Sequence, residues 1–288
     1  MSYKENLIYE HSPDFERFRK ALTGGKPDRV PPCEGGVDMQ IKEAFLGKPI
    51  GTLSDDIEFW YRAGYDFYIT HINGHVPPDR RIDGRFIERY GKSGTEGWVS
   101  GGSWITNWEE YKDYPWEPVE EIDYSAVENS SEILPPGMKL IVNLGPLFCG
   151  VWRIMGIDEF SYAMVENIKL IEGITNRIAG VLLFIAEKVI VYPHVQGIWI
   201  GDDLAFAEGL MVSPDFYRKY IFPWYKRIGN LCRSHNKLYI HHSDGKLDDV
   251  IEDLIGCGFH ALQPFEPKAM NIYDIKKNME TESLSLVM

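Results

Sequence analysis

The segment Tyr239-Ile240-His241-His242-Ser243-Asp244-Gly245 brings two imidazoles, a carboxylate and a glycine to the end of one β-branched and aromatic run. His242 and Asp244 stand two residues apart, so an extended backbone points both to one face. Imidazole and carboxylate on a shared face can move a proton or hold a divalent cation. His241 points the other way and is expected to be a hydrogen-bonded packing residue. Asp202-Asp203 repeat the arrangement after the strand candidate Gln196 to Gly201. One of that pair should face the rim and the other cap the following loop; Asp202 is assigned to the rim. Glu266, just past His260 to Pro264, is a further ligand or acid. Catalysis is assigned to Asp202, His242 and Asp244, with Glu266 beside them.

Other polar residues fall at strand ends in the same way. Glu34 and Asp38 close the candidate Val30 to Val37, His71 and Asn73 follow Tyr65 to Thr70, and Asn143 ends Lys139 to Asn143. These five are expected to contact substrate. Ser213 and Asp215 read as a helix cap.

The elements that position these groups alternate. Ser12-Pro13-Asp14 starts a helix that stops at Gly24-Gly25, and a second runs from about Ile57 to Ala63. A helical zone spans Asp158 to Ile190, and Leu247, Val250, Ile251, Leu254 and Ile255 repeat at helical spacing before Gly256 and Gly258. Ile275 to Met279 is a possible helix, and Leu284 to Met288 opens a last strand. Seven strand candidates separated by helices imply a parallel sheet of right-handed βαβ units. A (β/α)8 TIM-type barrel fits best, because polar residues gather at nearly every strand end and no glycine-rich dinucleotide loop follows the first strand. The barrel is expected to be one domain over 1–288, incomplete at its C-terminus. Residues 77–118 hold Trp98, Trp104, Trp108 and Trp116 and read as an insertion after strand 2, over the barrel mouth. Its aromatics either cover apolar strand ends or grip a flat substrate.

Composition narrows the class. With 288 residues and 44% hydrophobic content, the chain can bury a full core. A formal charge of −13 argues against nucleic acid, which needs a concentrated basic surface. Cys33, Cys149, Cys232 and Cys257 are scattered, with no Cys-x-x-Cys pair, and are expected to be reduced thiols of a cytoplasmic protein. The start of the chain lacks a secretory pattern, and the most apolar run, Ile178 to Val191, is broken by Glu187 and Lys188. No membrane partner is expected.

Several stretches together resemble the uroporphyrinogen decarboxylase superfamily, which also contains cobalamin-dependent methyltransferases. They are Gly201-Asp202-Asp203-Leu204, Ser213-Pro214-Asp215-Phe216-Tyr217-Arg218, Phe222-Pro223-Trp224-Tyr225-Lys226-Arg227, His242-Ser243-Asp244-Gly245 and Leu262-Gln263-Pro264. Ala21 to Pro31 resembles the family's opening. Two departures bear on function. Where true decarboxylases carry an Arg-Gln-Ala-Gly-Arg stretch, this chain has Cys33-Glu34-Gly35-Gly36-Val37-Asp38, whose acids would repel a many-carboxylate porphyrinogen. Where the similar zinc methyltransferases carry His-x-Cys, it has His242-x-Asp244, a harder donor pair, with Asp202, Glu266 or His241 as the third ligand.

The resemblance thus implies methyl transfer from a small O- or N-methylated compound, a methoxylated aromatic or a methylamine-like donor, to a corrinoid. Zinc is the metal it suggests. The corrinoid would come on a partner protein, because the chain has no Asp-x-His-x-x-Gly motif. The alternatives are a decarboxylase-like lyase for a smaller substrate, or a truncated non-catalytic member whose open edges could be met in a homodimer.

Overall fold

The computed structural model describes residues 12–72 and 104–271, with 273, 275 and the backbone of 285–286. Helices α1 (Phe15–Leu22), α2 (Met39–Leu46) and α3 (Leu53–Arg62) lead into strand β1 (Phe67–His71). Helices α4 (Trp108–Asp113) and α5 (Ser125–Ile133) precede β2 (Lys139–Asn143). Helices α6 (Phe148–Met155), α7 (Ile157–Glu166) and α8 (Ile168–Val189) lead to β3 (Val195–Gly201) and a small hairpin, β4 (Ala205–Phe206) and β5 (Gly209–Leu210). Helix α9 (Phe222–Ser234), β6 (Leu238–His242), α10 (Ile251–Cys257), β7 (Ala261–Gln263) and β8 (Ser285–Leu286) follow.

The main sheet has the order β1-β2-β3-β6-β7-β8, and every pairing in it is parallel. Its strands read Phe-Tyr-Ile-Thr, Leu-Ile-Val and Leu-Tyr-Ile, which suit a pleated sheet covered on both faces. Burial agrees: Leu140, Ile141, Val142, Ile198, Trp199, Ile200, Tyr239 and Ile240 are all buried. One cover is α8, which buries Leu170, Ile171, Ile174, Ile178, Leu182, Ile185 and Val189 along one stripe.

Several expectations change. Among the described residues the sheet is open, with β1 at one edge and β8 at the other, so barrel closure is not seen. Val30 to Val37 forms no ladder strand. Arg29 reaches the Gly64 carbonyl, and a Cβ on Gly36 would lie 3.7 Å from His71 Nε2, so the segment runs alongside β1. Pro31 and Pro32 lack the N–H groups a ladder needs. The cap of α1 is Asp14, not Ser12, and its carboxylate accepts from Glu16 N–H at 3.0 Å. The zone Asp158 to Ile190 divides at Asn167 into α7 and α8.

Most of the aromatic insertion, residues 276–279 of the last expected helix, and Asn73 lie outside the described residues. Its described part rests on the helix layer. Trp104 N–H donates to the Ile154 carbonyl at 2.8 Å, and Trp108 packs on Gly173 of α8. No helix among the described residues is long and apolar enough to cross a membrane.

Candidate functional site

Register decides which side chains meet. Gly201 pairs with His242, and His242 with Gln263. Side chains alternate between faces, so Trp199, Gly201 and Asp203 share one face with Ile240, His242 and Asp244. Asp202, His241 and Ser243 take the other.

The backbone extends this pattern past the strand ends. Asp202 N–H donates to the His242 carbonyl at 2.9 Å and Ser243 N–H to the Gln263 carbonyl at 3.0 Å. Asp244 N–H then donates to Asp203 Oδ1 at 3.0 Å, and Leu204 N–H to Ser243 Oγ at 2.9 Å. Gly245 has φ +85°, and a Cβ there would come within 2.6 Å of the Ala205 and Phe206 backbone. Only glycine lets the turn after Asp244 pass under the hairpin.

Asp203, His242 and Asp244 are brought together: one ligand atom of each lies within 4.8 Å of the others. The placement of the aspartate pair is thus the reverse of the sequence expectation. Asp203 faces the rim, with Oδ1 3.7 Å from His242 Nε2. Asp202 is buried on the helix side. It accepts N–H bonds from Leu147, Phe148 and Cys149 at 2.6–2.8 Å and the Tyr225 hydroxyl at 2.6 Å, fastening the start of α6. Burial pushes its carboxyl up, while Tyr225 and the α6 N–H groups pull it down.

His242 is held by a residue that spacing alone did not single out. Gln263 is buried, and its Oε1 lies 2.6 Å from His242 Nδ1. With that oxygen accepting, Nδ1 carries the proton and the Nε2 lone pair faces the carboxylates. A lone pair against two anions is unfavourable until a cation or proton stands between them. The two carboxylates, at most 4.8 Å apart, repel by about 3.5 kcal/mol or more for an effective dielectric near 20.

Glu266 Oε2 accepts Gly245 N–H at 3.0 Å, so it steadies the turn beside the cluster. Loss of water raises the Asp244 carboxyl pKa; His242 opposes this, and Asp203, Glu266 and Glu34 add to it. Glu34 is therefore near enough for its charge to act on Asp244. Asp38 is exposed at the start of α2 and makes no cap bond. His71 and Asn143 are register partners on adjacent strands. Asn143 is buried, with Oδ1 accepting from Gly145 N–H at 2.8 Å. Its Nδ2 lies 3.6 Å from where a Gly201 Cβ would stand.

His241 is fully buried as expected, stacked on Phe259 at 4.9 Å, but neither ring nitrogen has a hydrogen-bond partner. Burial lowers its pKa to about 3. All four cysteines are free, and burial pushes Cys33 up to about 12, so none is a ready thiolate.

No protein-family model matches the chain, and no curated protein matches it. Solved structures do match. One is a methyltransferase from Methanosarcina mazei, with a TM-score of 0.60 and 16% identity. The match covers 93% of this chain and 80% of that one. At this identity the likeness is one of fold alone.

Proposed function

We propose that the chain is a methyltransferase of the uroporphyrinogen decarboxylase type, a single (β/α)8-like domain. It would move a methyl group from a small O- or N-methylated compound to the cobalt of a corrinoid protein. The observation that carries this reading is the meeting of Asp203, His242 and Asp244 at the ends of β3 and β6. The fold likeness to a protein named a methyltransferase supports it.

Removing a methyl from oxygen leaves an anion that must be protonated or coordinated. Asp244, with its carboxyl held above the usual range, is suited to lend that proton. Gln263 orients His242, and the Asp244 N–H orients Asp203. The donor set of one imidazole and two carboxylates also fits a divalent cation such as zinc, whose histidine ligands usually bond a second polar group as His242 bonds Gln263. Asp203, His242 and Asp244 would hold it, with Glu266 adjacent, and it would supply a Lewis acid for the leaving atom.

The test is to mix purified protein with cob(I)alamin and a panel of methoxylated and N-methylated donors. Methylcobalamin should form, seen by its absorbance, with at least one of them. No change across the panel would overturn the reading.

A further inference from the structure

We propose that the cation this cluster takes is the methyl donor itself, a primary methylammonium ion; this rests on the methyl-transfer reading above. Three acceptors converge: the Asp203 carboxylate, the Asp244 carboxylate and the His242 Nε2 lone pair, fixed by the Nδ1 bond to Gln263. A primary ammonium offers three N–H donors in a matching tripod. Acceptors up to 4.8 Å apart stand about 2.8 Å from a central nitrogen, an ordinary hydrogen-bond length. A zinc ion would instead require all three to close in to about 2.0–2.2 Å.

Charge points the same way. Glu34 and Glu266 act on Asp244 together with Asp203, and among the described residues no lysine or arginine forms an ion pair with any of the four. A cation is drawn in, and a carboxylated methoxy-aromatic is repelled. A further polar group stands on the same face. Asn143 is 6% exposed, and its Nδ2, directed over Gly201 beside His242, donates to no described atom.

The tripod also sets the reaction geometry. With the three N–H groups held, the C–N bond lies along the axis leading away from the acceptors, and the methyl faces outward. On the methyl-transfer reading, a partner's cobalt(I) would supply the electron pair that takes the methyl, while the C–N pair would stay on nitrogen and neutral ammonia would leave the three acceptors. No acid is consumed, unlike cleavage of an ether. A quaternary ammonium has the charge but no N–H donor, so charge alone does not fill the site.

Titration calorimetry on the full chain, with methylammonium, tetramethylammonium and zinc chlorides, tests this. Methylammonium should bind about tenfold or more tightly than tetramethylammonium, and Asp203→Asn should weaken it by about tenfold, the worth of one charge-assisted hydrogen bond. The comparison of cations on the unmodified chain stands even if that variant does not fold. Equal binding of the two organic cations, no binding of methylammonium, or stoichiometric zinc that methylammonium cannot displace would each overturn the proposal. A cob(I)alamin assay separates the two readings. Methyl transfer from a methoxy donor without methylammonium binding sinks this proposal alone. Methylammonium binding with no transfer from any donor sinks both the donor role and the methyl-transfer reading.

Discussion

The orientation of His242 rests on Gln263, whose Oε1 meets Nδ1 at 2.6 Å. Gln263→Leu should lower turnover about 10–100-fold, as loss of a partner that orients a histidine does elsewhere, with the melting temperature little changed. Gln263→Glu, which keeps an acceptor, should restore most of it; equal activity in all three would remove Gln263 from the site. His241 makes a pH prediction. Its folded pKa, about 3, lies below the ordinary 6.5, so the unfolded chain binds a proton that the folded chain refuses. Its contribution to stability is full above pH 6.5 and is lost progressively as pH falls towards 3. His241→Leu should flatten that part of the stability profile without loss at neutral pH, because no hydrogen bond is broken. An unchanged acid slope would contradict this. His242 and Asp244 were legible in the sequence because their spacing matches the strand period. The roles of Asp202 and Asp203 were not, because both faces of a covered parallel sheet are apolar and parity alone does not say which face is the rim.

At the level of elements, Asp202 ties β3 to the start of α6 through three N–H groups and to α9 through the Tyr225 hydroxyl. Asp202→Ala strands four buried donors and should cost on the order of 3 kcal/mol or more in urea unfolding. A loss below 1 kcal/mol would show that α6 is fastened by something else. The turn at Gly245 is the second dependence. Gly245→Ala places a Cβ against the β4 backbone at positive φ and should destabilise by about 1–3 kcal/mol while displacing Asp244 and lowering activity. Wild-type activity and stability would mean that the hairpin yields freely. The strands β1, β2, β3 and β6 were readable from their β-branched and aromatic runs. The segment 30–37 misled because its apolar pattern outweighed Pro31-Pro32, which remove two ladder donors. The break at Asn167 was hidden because the apolar pattern continues on both sides of it.

Across the whole molecule, alternation of strand and helix sufficed to read a parallel sheet with its polar groups at one end. Closure into a barrel was not readable, since it depends on the two sheet edges and not on any local period. The net charge of −13 does not say where the acids stand, and three of them, Glu34, Asp203 and Glu266, act on a fourth, Asp244. Local charge, not total charge, is what the ligand meets. The claim on which all of this depends is that Asp203 and its neighbours on β6 form one methyl-transfer site. The most direct measurement is the rate of methylcobalamin formation from cob(I)alamin and a methylated donor, by wild type and by Asp203→Asn. We expect a fall of about tenfold or more in the variant, with its circular dichroism and melting unchanged. Equal rates in the two proteins would contradict the account.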